Sequence, residues 1–357
     1  MQKRSLVAAA AIALVGATGC PKKESLGMSA MSVLGPGIIN DPKNKSLRFD
    51  ILKFGLDEFC REMKDRGAPL KLRDGEPVLG RFFADGCTAQ IIDEEQRKSL
   101  VLQYSGRGYA WTNVTGRLGF TSAGLVEYAP DFQLHDGAMY VYFRPRNLAS
   151  ASFQTLLVES ALARTGIALT RVNPDQIGRD IVENQLKRGF TVIRYTSNGE
   201  TDFGLGYVPI GKRPFRPFII QSESKVTLDN DRTEVHSNQQ DFVGGLVVKD
   251  DDQALYLSAQ IDGAPAVDVL VVSKSVGDRV IDGYVRTAGA SMLPEPPLLD
   301  ETVPAGGLWK RQVSVPKGNY YLLVDNSPVL GHSAPPGTVG DDRAARVDYV
   351  VEVGDRP

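Results

Sequence analysis

Apolar residues recur at two different periods along this chain, and the change of period divides it into segments. Leu52, Leu56, Phe59, Cys60 and Met63 stand three and four residues apart, the spacing of one helix face. Asp41-Pro42 reads as a cap with proline in the first turn, and Gly67 follows Lys64 and Arg66 as a stop. A helix is therefore predicted over about 43–66. From Pro69 to Arg144 the period is two. It predicts strands over 78–83, 88–92, 99–104, 109–115, 118–121, 125–128 and 138–143, with Gly, Asp and Pro between them at hairpin spacing. Tyr104, Tyr109, Trp111, Tyr128, Tyr140 and Tyr142 read mainly as core and cross-strand pairs; the alternative is a ligand-facing wall.

The period then returns to that of a helix. Phe153, Leu156, Leu157, Ser160 and Ala161 predict a second helix over about 152–164, ended by Gly166, and 167–172 reads as a short strand. Asn173-Pro174-Asp175 supplies a cap, a proline and a first-turn acid for a third helix, which Lys187-Arg188-Gly189 closes. Segments 190–195 and 201–205 predict a hairpin about Asn198-Gly199. Two prolines in Gly211-Lys212-Arg213-Pro214-Phe215-Arg216-Pro217 mark a boundary. Beyond it the strand signals are 241–249, 254–261, 266–273, 280–285, 308–315, 319–325 and 347–353. With no helix among them, they predict a β-sandwich. The proline-rich stretch 286–307 is expected to be a surface loop. The fold expected is α+β, with an α+β unit over 41–210 and an all-β unit over 211–357.

The N-terminus carries a different signal. Lys3 and Arg4 precede a ten-residue apolar run over 6–15, too short to span a bilayer as a helix. Ala17-Thr18-Gly19-Cys20 follows, and resembles the lipobox of bacterial lipoproteins, with Ala17 where that family usually has Leu. The resemblance implies a signal peptide over 1–19, acyl chains on Cys20 and a polar tether over 20–40. Each buried CH2 contributes about 0.8 kcal/mol, so several chains anchor firmly where one does not. Pro21 stands where an Asp would suggest inner-membrane retention, so the outer membrane is the expected address. The alternative is an ordinary secretory signal with a chance cysteine. With Cys20 acylated, Cys60 and Cys87 are left as a pair in an oxidising compartment. A bridge between them is worth about 3–4 kcal/mol in the chain-entropy model; the alternative is two buried thiols.

Two further resemblances bear on the units. The order of helix, antiparallel sheet, two helices and hairpin, with Leu186-Lys187-Arg188-Gly189-Phe190-Thr191-Val192 closing it, resembles the tubular lipid-binding superfamily over about 41–208. That implies a bent sheet wrapped on a long helix, and an apolar ligand or lipid held in a tunnel. The same pattern also builds a filled core with no tunnel. Segments 254–263 and 315–326, the latter with Pro316-Lys317-Gly318-Asn319-Tyr320-Tyr321, are similar to the pre-peptidase C-terminal domain. This implies a jelly-roll-like sandwich over about 218–354 that binds or spaces, although no protease domain precedes it.

Composition and candidate chemistry narrow the function. Removing Lys3 and Arg4 turns the formal charge of −2 into −4, which is no footprint for nucleic acid. Gly289-Ala290-Ser291-Met292-Leu293-Pro294 resembles the nucleophile box of type I signal peptidases, with Lys310 as the only plausible base. That reading is set aside because Ser291 lies in a proline-rich stretch, with too little chain beyond it and no membrane span before it. His135, His236 and His332 are widely separated, so no metal site is expected. Asp250-Asp251-Asp252 reads as a hairpin turn rather than a calcium loop. Gly106-Arg107-Gly108 lacks the strand–helix context of a phosphate loop. No catalytic residue, cofactor or metal is expected, and the chain is not read as an enzyme. The expected function is an outer-membrane lipoprotein binding an apolar ligand or lipid. The alternative is a structural or interaction subunit, or an adhesin, of an envelope assembly.

Overall fold

The structure is a computed structural model that describes residues 41–44, 46, 60, 63–94, 97–159, 173–195, 201–220, 224–333 and 344–356. Cys20, the signal segment and the tether lie outside the described residues. The first unit is a meander of seven antiparallel strands, β1 (Ala68–Leu70), β2 (Gly80–Asp93), β3 (Lys98–Thr112), β4 (Gly116–His135), β5 (Ala138–Val158), β6 (Phe190–Tyr195) and β7 (Thr201–Leu205). The expected pieces 78–83 and 88–92 fall largely within β2, 99–104 with most of 109–115 in β3, and 118–121 with 125–128 in β4. Of the glycines between them, Gly106 and Gly108 are sites of close approach rather than turns. Gly106 pairs with Ala84, and a Cβ there would run into the Phe83 carbonyl and the Phe82 ring. A register shift between Ala84 and Gly86 bends the strand without ending it.

The second helix is a correction. Residues 152–158 belong to β5, with Phe153 opposite Ser122, Thr155 opposite Phe120 and Leu157 opposite Gly119. The long edge of β4 offers pairing that outweighs the local helical spacing. The rest of that expected helix, and the short strand over 167–172, lie outside the described residues. Of the first helix, positions 46, 60 and 63–66 are helical, and Gly67 ends it with φ of +75°. Cys60 is bonded to Cys87 of β2, which fixes that helix to the sheet. The helix α1 (Pro174–Lys187) forms as its cap predicts, with Asn173 Oδ1 accepting from the Asp175 N–H at 3.0 Å. It packs Val182, Ile181 and Leu186 onto Phe82, Phe120, Tyr128, Phe143 and Phe190 of the sheet. Ring centroids lie 4.9 Å apart for Phe120–Phe153 and 4.4 Å apart for Phe143–Phe190, so aromatic side chains stack on this face.

The second unit is a sandwich. One sheet runs β13-β10-β15-β8 and the other β12-β11-β14-β9, all antiparallel. The strands are β8 (Lys225–Val235), β9 (Gln239–Val248), β10 (Gln253–Asp262), β11 (Ala266–Ser273), β12 (Leu299–Pro304), β13 (Leu308–Val313), β14 (Gly318–Asn326) and β15 (Ala345–Asp355). Eight strands in this order make the double Greek key of a jelly roll. Between the sheets lies an aliphatic core of residues such as Val243, Leu257, Val269, Leu322 and Val351.

Three expectations for this half change. The strand β8 was not foreseen. Residues 280–285 are mostly the end of a helix, α2 (Lys274–Tyr284), and not a strand. Its buried face includes Val276, Val280, Ile281 and Tyr284, at helical spacing. Ser273 caps it, accepting from the Val276 N–H at 3.4 Å. The supposed loop 286–307 contains β12, whose apolar partner is β11.

The helix α2 joins the two units. It lies on the outer face of the β12-β11-β14-β9 sheet, where Leu270, Val272, Tyr321 and Leu323 meet Val276, Val280, Ile281 and Tyr284. The first sheet closes this cluster from the other side with Phe83 and Tyr109. Gly119 of β4 comes so close to the Val285 backbone that any side chain there would collide. Val78 adds a parallel bridge to Thr233 of β8.

Candidate functional site

Several strand positions that an alternating pattern would fill with apolar residues carry buried charged side chains instead, and Arg81, Arg117 and Asp241 are among those at this junction. Arg81 of β2 and Tyr109 of β3 face each other in register. Arg81 reaches across to β9 and donates Nε to Asp241 Oδ1 at 2.9 Å and Nη2 to Oδ2 at 2.8 Å. Nη2 also donates to Tyr349 Oη at 3.2 Å. Tyr109 Oη donates to Asp241 Oδ1 at 2.7 Å and accepts from the Phe242 N–H at 3.0 Å. Burial pushes the Asp241 carboxyl up, but the Arg81 charge and the bonds from Arg81 and Tyr109 outweigh it and leave it below the usual range. Burial works against the Arg81 cation too, and the Asp241 charge more than restores it. Burial pushes the Tyr109 hydroxyl well up, with Asp241 adding to the effect.

Beside this pair lies a cavity of about 20 Å³, bordered by Trp111, Arg117, Glu234, His236, Gln239 and Gln240 among others. It has room for about one water. Arg117 is 1% exposed and its guanidinium lies 3.6 Å over the Tyr284 ring centre. Its Nη2 donates to the Thr287 and Gly289 carbonyls at 2.8 and 2.9 Å, and to Glu159 Oε1 at 3.3 Å. Its Nε and Nη1 have no hydrogen-bond partner among the described residues. The His236 ring stacks on Trp111 with centres 3.3 Å apart, and its Nε2 lies 3.2 Å from Glu234 Oε1. This hydrogen bond pulls the Glu234 carboxyl below its ordinary value.

A second cluster sits on the outer face of the same sheet, where Asp268 and Asp325 are cross-strand partners, both wholly buried. Asp268 accepts from Thr302 Oγ1 and Ser333 Oγ at 2.6 Å each, and from the N–H groups of His332 and Ser333 at 3.0 and 2.8 Å. Asp325 accepts from Gln240 Nε2 at 2.9 Å and Ser327 Oγ at 2.8 Å. Loss of hydration pushes the Asp325 carboxyl up to about 7, against the lowering effect of those bonds. Asp268 holds the 331–333 loop, and Asp325 the turn after β14. These are fixed hydrogen-bonded anchors, not free acids.

The candidates from sequence fall out as follows. Ser291 bonds through its backbone to Gln240, at 2.9 Å from its N–H and 3.1 Å to its carbonyl. Lys310 lies opposite Ser258 on β13, at the edge of the other sheet, so the two are not brought together. His135 lies 3.2 Å from Asp136 at the β4–β5 hairpin, His236 lies at the junction, and His332 is 4.0 Å from Asp300. Among the described residues no group of three or more His, Cys, Asp or Glu could hold a metal ion. Asp251 accepts from the Lys317 N–H at 2.8 Å beside the β9–β10 turn. Gly106-Arg107-Gly108 lies within β3. Arg81, Arg117 and Asp241 are not among the residues that motif and spacing single out; the signal for them is a charge at a core register of a strand.

No family model matches the chain, and no curated protein matches it. Among solved structures, it is similar to a chain in the structure of infectious bursal disease virus Gt strain, at 10% identity and a TM-score of 0.21, over 80% of this chain and 75% of that one. A likeness this slight carries no argument about fold or function.

Proposed function

We propose that this chain is an outer-membrane lipoprotein that works as an interaction subunit of the envelope, with acyl chains on Cys20 and two units held as one body. The observation that carries this reading is how the buried charges are used. Arg81, Asp241, Asp268 and Asp325 are each engaged by fixed partners, and Arg117 is held through Nη2 and the Tyr284 ring. They join strand to strand and unit to unit, which serves rigidity and display rather than bond-making. The anchor reading rests on Ala17-Thr18-Gly19-Cys20.

The second reading is a carrier of an apolar ligand or lipid, as the tubular resemblance implies, with the sheet wrapped on the 43–66 helix. The order of helix, antiparallel sheet and hairpin favours it. The stacked rings of Phe82, Phe120, Phe153, Phe143 and Phe190 on the helix-covered face favour the interaction reading instead. Native mass spectrometry of the chain isolated from bacterial envelope without detergent separates the two. A bare protein mass, with specific crosslinks to an envelope protein in intact cells, is the expected result. Lipid beyond the Cys20 acyl chains that is released on denaturation overturns it in favour of the carrier.

A further inference from the structure

The turn that leaves β7 is built rigidly and yet presents apolar residues to solvent. Val208 is buried in a cluster with Tyr140, Tyr142 and Ile193. Its N–H donates to Thr191 Oγ1 at 3.1 Å, and that hydroxyl donates to the Gly206 carbonyl at 2.6 Å. Tyr140 Oη accepts from the Gly211 N–H at 3.0 Å and donates to the Lys212 carbonyl at 3.3 Å. So both ends of the turn are tied to the sheet. Tyr207 is nevertheless 54% exposed and Ile210 40% exposed. Lys212 and Arg213 stand exposed beside them.

The surroundings are aromatic and cationic. Tyr207 stacks on Tyr142 with ring centres 4.4 Å apart, and the Arg144 guanidinium lies 5.1 Å from the Tyr207 ring. Arg213 lies 4.2 Å from the Tyr195 ring. The nearby carboxylates have cationic or hydroxyl partners, and exposed Asp136 lies 3.2 Å from His135, whose ring is beside Gly211. Asp202 accepts from Arg216 at 3.1 Å and from Tyr195 at 3.2 Å, while Asp131 lies 3.8 Å from Arg144.

A rigid turn that holds Tyr and Ile outward, rimmed by Lys and Arg, has the composition of a surface that rests in a bilayer interface. Tyrosine puts its apolar body in and its hydroxyl in the headgroups, and long basic side chains lie along apolar surface with their charge in the polar layer. The geometry points to the turn 207–213, with Arg144, as a docking surface for an anionic lipid bilayer. This rests on the anchored reading above. From Cys20 to Asp41 the chain spans at most about 75 Å when fully extended, which keeps the body within reach of the surface. At that effective concentration a weak surface contact suffices to fix which side of the body faces the lipid. A protein partner would also accept tyrosine and arginine, but exposed lysine is depleted in such interfaces.

The test uses the full chain, with intact mass reporting acylation of Cys20 in every sample, so a failed anchor is read separately from a failed surface. A fluorophore is attached at Ile210→Cys in one sample and at Met292→Cys, 75% exposed and outside this turn, in another. Each is mixed with vesicles of phosphatidylglycerol and phosphatidylethanolamine, or of phosphatidylcholine alone. The expected result is that the label at 210, in anionic vesicles only, is shielded from iodide and quenched by brominated acyl chains, while the label at 292 is not. Lys212→Glu with Arg213→Glu should weaken the shielding by about thirtyfold or more. Equal quenching of the two labels overturns the proposal, as does shielding that ignores the charge reversal. Shielding that needs added envelope proteins also overturns it, and assigns the turn to a protein partner.

Discussion

Arg81 of the first sheet and Asp241 of the sandwich meet as a two-bond fork, at 2.9 and 2.8 Å, with neither open to solvent. A buried pair of this kind adds little over an apolar pair of the same shape, but a single lost partner is costly because it strands a charge. Arg81→Met should therefore destabilise the chain by about 3–5 kcal/mol. Arg81→Met with Asp241→Leu should cost clearly less than Arg81→Met alone. Urea unfolding of the single and double variants measures this. Costs that simply add would show that the fork carries no coupling.

Asp325 gives a pH dependence with a definite sign. The native state keeps its proton up to about pH 7, whereas the unfolded carboxyl gives its proton up near pH 4. Across that window the unfolded state binds fewer protons, so this group makes stability fall as pH rises. Asp325→Asn should gain on the parent between pH 5 and pH 8. Parallel unfolding curves at the two pH values decide it, and a variant that loses ground at pH 8 contradicts the assignment.

The Cys60–Cys87 bridge ties the first helix to β2. Cys60→Ser with Cys87→Ser should cost about 3–4 kcal/mol. Hydrogen exchange should then rise first at residues 60–66, with the sandwich amides slower to follow. Uniform loss of protection would show that the helix is held by other contacts.

Gly119 lies against the Val285 backbone, and a methyl group added there has nowhere to go. Gly119→Ala should destabilise by about 1–3 kcal/mol through overpacking. Because the sheet and the sandwich share the Phe83, Tyr109 and Tyr284 cluster, calorimetry should show one transition for both parent and variant. Two separate transitions in the parent would mean that the shared core does not couple the units.

Much of the fold was legible where local chemistry decides it. The cap at Asn173-Pro174-Asp175, the hairpin over 190–205 and the period-two stretches of the sandwich each rest on neighbours in sequence. Legibility fails where distant backbone decides. Phe153, Leu156 and Leu157 have helical spacing, but in β5 Phe153 packs into the aromatic core of the first unit and Leu156 into the junction cluster, so a strand with both faces covered uses the same apolar residues. In α2 the pairs Val280-Ile281 and Tyr284-Val285 imitate a strand, and only Val276 one turn earlier betrays the helix. The junction was the least visible part. Arg81 and Asp241 are 160 residues apart, and nothing local says that one charge will answer the other.

The strand order of the sandwich also dictates when the chain can finish folding. β15 is hydrogen-bonded to β10 on one side and β8 on the other, yet six strands and a helix separate it from β8 along the chain. During synthesis β8 and β10 therefore wait with open edges for a strand that emerges much later. Such edges invite wrong pairing, and their native closure is slow because it joins distant segments. The sheet of β13, β10, β15 and β8 can therefore close only after β15 has left the ribosome, whereas the strands of the first sheet are all present by Leu205.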